Sequence, residues 1–156
     1  MIPLHAVHFD CVFSVTIPGM PVPPLSVLLE DEQLFHDSVL DFANREMHPR
    51  TRDMDATATM PADLLAQLFR LGVMGVEVPE PLGGSGGSFF HAILAVEALS
   101  RVDPAVGVMV DVQNTLIVSA LNTWASEEQR TKILPRLATD MVGAYADEMG
   151  IVAAGE

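Results

Sequence analysis

Residues 7–17 alternate. Val7, Phe9, Cys11, Phe13, Val15 and Ile17 fall on one side, His8, Asp10, Ser14 and Thr16 on the other, with Val12 as the exception. A period of two predicts a short strand. No other stretch offers an obvious partner, and a lone strand is unstable in water, so this one is expected to be loosely held or to pair with a copy of itself. Residues 17–25 follow with four prolines and predict an extended linker.

From residue 30 the period becomes helical. Phe35, Val39, Phe42 and Ala43 share a face, and acidic residues crowd the first turn, where the helix dipole favours them. His48-Pro49 is expected to close this helix. A second helix starts near Pro61, carries Leu64, Leu65, Leu68 and Phe69 as its stripe, and stops at Gly72. Residues 74–79 predict a short extended link. Ser88 is a fitting N-cap for a third helix, with Phe90, Ile93, Leu94 and the 96–99 turn buried. Ser126 and Gln129 match a capping box for a further helix, which Pro135 kinks or restarts.

The longest apolar stretch is residues 103–122. Asp103-Pro104 supplies an N-cap and the helical position that tolerates proline. Most of the circumference is apolar, which predicts a helix inside the protein. Asp111, Thr115, Ser119 and Asn122 recur at spacings of four, four and three and predict a polar stripe. Such a stripe either bonds to neighbouring helices, the commoner case, or faces a cleft. Five or so helices with short connections predict an all-α helical bundle.

Three features invite chemistry. The run Pro-Leu-Gly-Gly-Ser-Gly-Gly, residues 81–87, lacks the Lys-Ser/Thr ending of a phosphate loop, so a tight turn with close backbone packing is the expectation. His5, His8, Asp10 and Cys11 are metal-capable. On a strand, however, His8 and Cys11 point to opposite faces, and no second cluster completes a zinc shell, so no metal site is expected. Glu97 sits among apolar residues and predicts a buried pair with an arginine.

Charge narrows the partners. A net charge of -13 over 156 residues disfavours nucleic acid and anionic membrane surfaces, though a basic protein partner is compatible. The single cysteine excludes an internal disulfide framework. No membrane span is expected, because Asp111, Gln113 and Asn114 interrupt the most apolar run. No lysine or arginine precedes Arg45, so neither a secretory leader nor an Arg-rich transit peptide is legible.

Four phrases, in order and correctly spaced over about residues 28–146, resemble the acyl-CoA dehydrogenase family. They are residues 30–43 (EDEQLFHDSVLDFA), 60–88 (MPADLLAQLFRLGVMGVEVPEPLGGSGGS), 96–116 (VEALSRVDPAVGVMVDVQNTL) and 126–146 (SEEQRTKILPRLATDMVGAYA). The QNTL phrase, residues 113–116, looks most like the short/branched-chain members. The resemblance implies an N-terminal helical domain at 28–146, an extension at 1–27 and a divergent tail at 147–156. It implies an FAD-dependent oxidoreductase acting on acyl-CoA, electron-transfer flavoprotein as partner, and a mitochondrial location, with the cytoplasm as the alternative where no transit peptide is legible. In that family a glutamate abstracts the Cα proton while the Cβ hydride goes to the flavin.

The resemblance also places residues. Leu82 takes the tyrosine position of the family's Tyr-Gly-Gly turn. Val112, Gln113 and Leu116 become the candidates to approach the acyl tail, and Tyr145 and Ala146 a remnant of the flavin site. After Ala146 the family pattern fails: aspartate stands where a flavin-facing hydroxyl is expected, and no Gly-Ser-Asp segment follows. The domain that carries the family's catalytic glutamate is expected to have no counterpart in these residues. Both ends are expected to be substituted, as in a truncated or spliced product or an imperfect gene model. The sequence therefore predicts a partial acyl-CoA dehydrogenase without turnover of its own and without retained FAD. Its rival is a non-enzymatic helical interaction module or dominant-negative fragment, with self-association through uncovered apolar surface.

Overall fold

The computed structural model describes residues 27–146 and 150–154. The predicted strand at 7–17, the linker and the His5–Cys11 cluster lie outside them. Helix α1 (Glu30–Phe42) opens with Glu30, Asp31 and Glu32, and the Glu32 carboxylate accepts the amide of Leu29 at 2.8 Å. Pro49 does not end this region, as the sequence reading expected. The chain passes through a π turn (Ala43–Met47) and a 3-10 turn (His48–Arg50) into an unforeseen helix, α2 (Thr51–Thr57). Proline fits because it occupies the first turn, where its missing N–H has no intrahelical partner to lose.

Helix α3 (Ala62–Leu71) starts after Pro61 and ends at Gly72, whose φ is +85°. Leu64 and Leu68 are fully buried, and Leu65 and Phe69 flank them. The expected extended link is instead a buried 3-10 turn, Val73–Gly75. The glycine loop is the tight turn the sequence predicts. A Cβ on Gly84 would strike the carbonyl oxygen of Val78, so the loop lies flat on that strand of backbone. Helix α4 (Phe89–Ser100) is capped by Ser88, which accepts from the His91 amide. Ala92, Leu94, Ala95, Ala98 and Leu99 form its buried side, while Ile93, expected inside, is 38% exposed.

The central helix runs unbroken through α5 (Pro104–Asp111), a π turn (Val112–Val118) and α6 (Ser119–Trp124). Asp103 caps it, accepting from the amides of Ala105 and Val106 at 2.9 and 3.3 Å. At the far end Arg130 donates to the Asn122 carbonyl at 3.3 Å, a cation where the helix dipole is negative. Helix α7 (Glu127–Thr139) has the capping box of Ser126 and Gln129 and continues through Pro135. One hairpin departs from the all-helical expectation. Strand β1 (Val142–Ala146) pairs antiparallel with β2 (Gly150–Ala154), Val142 opposite Ala154 and Ala146 opposite Gly150.

The described residues are mostly helical and hold two apolar clusters. One joins α1, α2, α3, α4 and α5 around Met47, Leu64, Leu68, Leu99 and Val110. The other joins the π turn, α6 and α7 around Ile117, Leu121, Leu134 and Leu137. The central helix belongs to both. It is long and apolar enough to cross a membrane by length and composition alone, a test that the core helix of a packed bundle also passes.

Candidate functional site

The site is built by two side chains that compete with the backbone of the central helix. Asn114 Nδ2 donates to the Val110 carbonyl at 2.9 Å, and Thr115 Oγ1 donates to the Asp111 carbonyl at 2.9 Å. Each occupies the acceptor that an α-helix reserves for that residue's own amide. Side chains inserted into the helical ladder distort it, and here the backbone relaxes into the wider π turn.

The π turn lets two consecutive amides face inward. Gln113 and Asn114 are both fully buried. Gln113 Nε2 donates to the carbonyls of Leu137 and Met141 at 2.8 and 2.9 Å, and its Oε1 accepts from the Gly143 amide at 2.8 Å. It thereby ties the end of α7 and the start of β1 to the central helix. Asn114 accepts from the Val76 amide at 2.9 Å and donates to the Val73 carbonyl at 2.8 Å, fixing the turn after α3. Buried polar groups are satisfied in this way, and these amides are the inter-element bonds of the helix.

The acyl-tail candidates therefore separate. Gln113, expected beside the tail, is sealed in the core with its amide committed to backbone. Leu116 is 44% exposed, and Val108, two turns earlier, is 59% exposed. Val112 is half-buried against the second cluster. Val108 and Leu116 form an apolar ridge open to solvent, and Val112 fills its half-buried floor. The expected polar stripe bonds mainly within its own helix: Thr115 Oγ1 also lies 3.0 Å from the Asp111 carboxylate. Among the described residues only Asn122 of its members reaches another element, donating to the Glu77 carbonyl at 3.1 Å. Sequence reasoning missed Gln113 and Asn114 as the structural pair; their adjacency inside an apolar run was the available signal.

Among the described residues most other charges form surface pairs, and Glu77 and His36 depart from that pattern. Glu77 is half-buried, its Oε2 has no partner among the described residues, and burial pushes its carboxyl above the usual range. His36, on α1, is buried where that helix meets α4, with Nδ1 3.1 Å from Asp37 and Nε2 2.9 Å from Glu97. Hydrogen bonds from His36 and Gln33 hold the Asp37 carboxyl below its usual value. Glu97 is thus exposed and faces a histidine, with Arg101 at 3.9 Å, rather than lying in a buried arginine pair.

Tyr145 and Ala146 sit on β1, where they pair with Ile151 and Gly150 of β2. No group of three or more metal-capable side chains occurs among the described residues.

Residues 29–140 match the family model described as acyl-CoA dehydrogenase, N-terminal domain. A probable short/branched chain specific acyl-CoA dehydrogenase of Dictyostelium discoideum is 40% identical over 124 residues, covering 80% of this chain and 30% of the relative. The mitochondrial short/branched chain specific enzyme of Bos taurus is 34% identical, covering 88% of this chain and 32% of the relative. The chain thus spans about a third of the length of the curated relatives it matches. Butyryl-CoA dehydrogenase from Megasphaera elsdenii superposes with a TM-score of 0.66 at 28% identity, covering 72% of this chain and 30% of that one. A chain in a structure named for the electron transferring flavoprotein of Acidaminococcus fermentans gives a TM-score of 0.68 at 30% identity, covering 72% and 30%. With that domain model laid over most of its helices, the chain belongs to the acyl-CoA dehydrogenase family through its N-terminal domain.

Proposed function

We propose that these residues form the helical wall behind the acyl tail in an acyl-CoA dehydrogenase of the short/branched-chain kind. The observation that carries this reading is the exposed pair Val108 and Leu116, with Val112 half-buried between them, on the helix whose π turn Gln113 and Asn114 anchor from the buried side. An apolar wall suits an alkyl tail, since each buried methylene contributes about 0.8 kcal/mol. Val112 and Leu116 contact the tail; Gln113 positions them. Acyl-CoA as substrate, FAD as cofactor, electron-transfer flavoprotein as partner and a mitochondrial setting belong to the same proposal. Among the chain's own residues none is assigned a proton-transfer role.

A chimera tests the wall. Residues 29–140 replace the matching segment of a short/branched-chain relative, and acyl-CoA oxidation is measured with tails of increasing length. Retained activity supports the reading. Leu116→Trp in the chimera is expected to lower kcat/KM for the longer tails by about tenfold or more, the cost of crowding an apolar pocket. An unchanged tail preference overturns the assignment of Leu116.

The 156 residues alone are proposed to be without turnover. Mixed anaerobically with FAD and a saturating branched acyl-CoA, they are expected to leave the flavin absorbance unchanged; bleaching overturns this. A second reading, a non-enzymatic interaction module, is favoured by the same exposed ridge, because apolar patches of this kind mark contact surfaces. A chain that stays monomeric at high concentration in size-exclusion chromatography counts against it.

A further inference from the structure

A second apolar concavity, distinct from the Val112–Leu116 ridge, runs between the end of the central helix, α7 and the start of β1. It encloses about 650 Å³. Ile117 and Leu121 form one wall, Ile133 and Leu137 the other, and Met141 closes the end. Neither Val112 nor Leu116 lines it. The volume is that of a small-molecule pocket, and the lining is mainly apolar with a few polar groups at the rim, as such pockets are built.

The rim is cationic. Lys132 and Arg136, one helical turn apart on α7, flank the mouth beside Gln129. This is notable in a chain with 21 acidic and only eight basic residues, since two of those eight border one groove. Arg136 is shared with Asp140 at 3.4 Å, and Glu128 lies beside Lys132 on its outer side. Among the described residues Lys132 makes no ion pair. An apolar trough with positive charge at its lip is complementary to one kind of molecule, an alkyl chain ending in an anion.

We propose that this groove binds a single-chain amphiphilic carboxylate. Its alkyl chain lies between Ile117, Leu121, Ile133 and Leu137, and its head meets Lys132 and Arg136. The proposal is independent of the acyl-wall reading, because the two surfaces share none of these residues.

The chain carries its own reporter. Trp124, its single tryptophan, stands at the groove and is 84% exposed. Decanoate, kept below its micelle concentration, is titrated into the full chain while tryptophan emission and far-UV circular dichroism are followed. The expected result is a saturable one-to-one blue shift at constant helicity. Lys132→Gln with Arg136→Gln, and separately Lys132→Gln alone, are expected to weaken the apparent Kd, the double variant by about tenfold, as loss of a charge-assisted contact predicts. Decyltrimethylammonium is expected to produce no saturable shift. No shift with decanoate, an equal shift with the cationic amphiphile, or unchanged affinity in both variants overturns the proposal. So does a dimer that excludes decanoate, which would assign the groove to a second copy of the chain.

Discussion

Gln113 concentrates more structural consequence than any other polar side chain of the central helix. Its amide satisfies three backbone groups from two other elements. Gln113→Leu keeps the volume but leaves the Leu137 and Met141 carbonyls and the Gly143 amide without partners in a dry core. An unsatisfied buried group costs about 1–3 kcal/mol, so the substitution is expected to destabilise by about 3 kcal/mol or more. Thr115→Ala removes bonds that stay within one helix and is expected to cost less than about 1 kcal/mol. Urea unfolding with an unchanged slope measures both, and equal losses overturn the assignment of Gln113 as the tie between elements. Glu77 makes a second prediction. Its folded carboxyl is raised by burial, so the folded state binds the proton more tightly than the unfolded chain. That stability is full below the ordinary carboxylate value and is lost as pH rises through the raised one. Asp37 and Asp63, both lowered by hydrogen bonds, act with opposite sign, losing stability as pH falls through their lowered values. Glu77→Gln is therefore expected to melt higher than the parent at neutral pH, with the gap narrowing towards the carboxylate range. A gap that does not change with pH overturns this.

At the scale of elements the glycine loop offers a contrast. Gly83 has φ +86° and room for a Cβ at ordinary van der Waals distance, 3.7 Å from Thr139 Cγ2, while Gly84 lies against the Val78 carbonyl. Gly83→Ala pays only for a left-handed conformation, about 1 kcal/mol. Gly84→Ala must push backbone apart and is expected to cost about 3 kcal/mol or more, because the obstacle is a carbonyl and not a flexible side-chain end. Thermal melts that rank the two the other way overturn the packing role of the loop. This loop was legible in the sequence because glycine at that density has few uses. The caps at Ser88, Asp103 and Ser126 were legible too, since a cap is a local bond between residues a few positions apart. Helix α2 was not, because a proline reads as a stop, and only the fold reveals that Pro49 sits where a first turn tolerates it. Nor was the inward face of residues 112–118. A polar stripe presupposes one uniform helical period, and the π turn drawn by Asn114 and Thr115 changes that period across residues 112–118. The antiparallel hairpin went unread because its pairing joins residues on either side of Asp147–Met149, a relation that neither strand's own pattern encodes.

For the whole molecule two long-range forces oppose each other. The ridge of Val108 and Leu116 and the exposed Trp124 favour contact between copies, while a net charge of -13 repels them. Which one prevails depends on screening. At about 0.01 M salt the Debye length is roughly 30 Å, so copies feel each other's charge across their full width; at 0.15 M it is about 8 Å, and only facing residues matter. Apolar contact changes little over that range. Self-association, followed by sedimentation velocity, is therefore expected to rise as salt is raised between these limits. Val108→Gln with Leu116→Gln removes apolar area from the ridge without altering charge, and is expected to abolish the rise while leaving helicity intact. If association instead falls with salt, attraction between charges holds the copies together and the ridge is not the contact. If the ridge variant associates like the parent, the contact lies elsewhere, and the groove at Trp124, with Lys132 and Arg136 on its rim, becomes the surface through which copies meet.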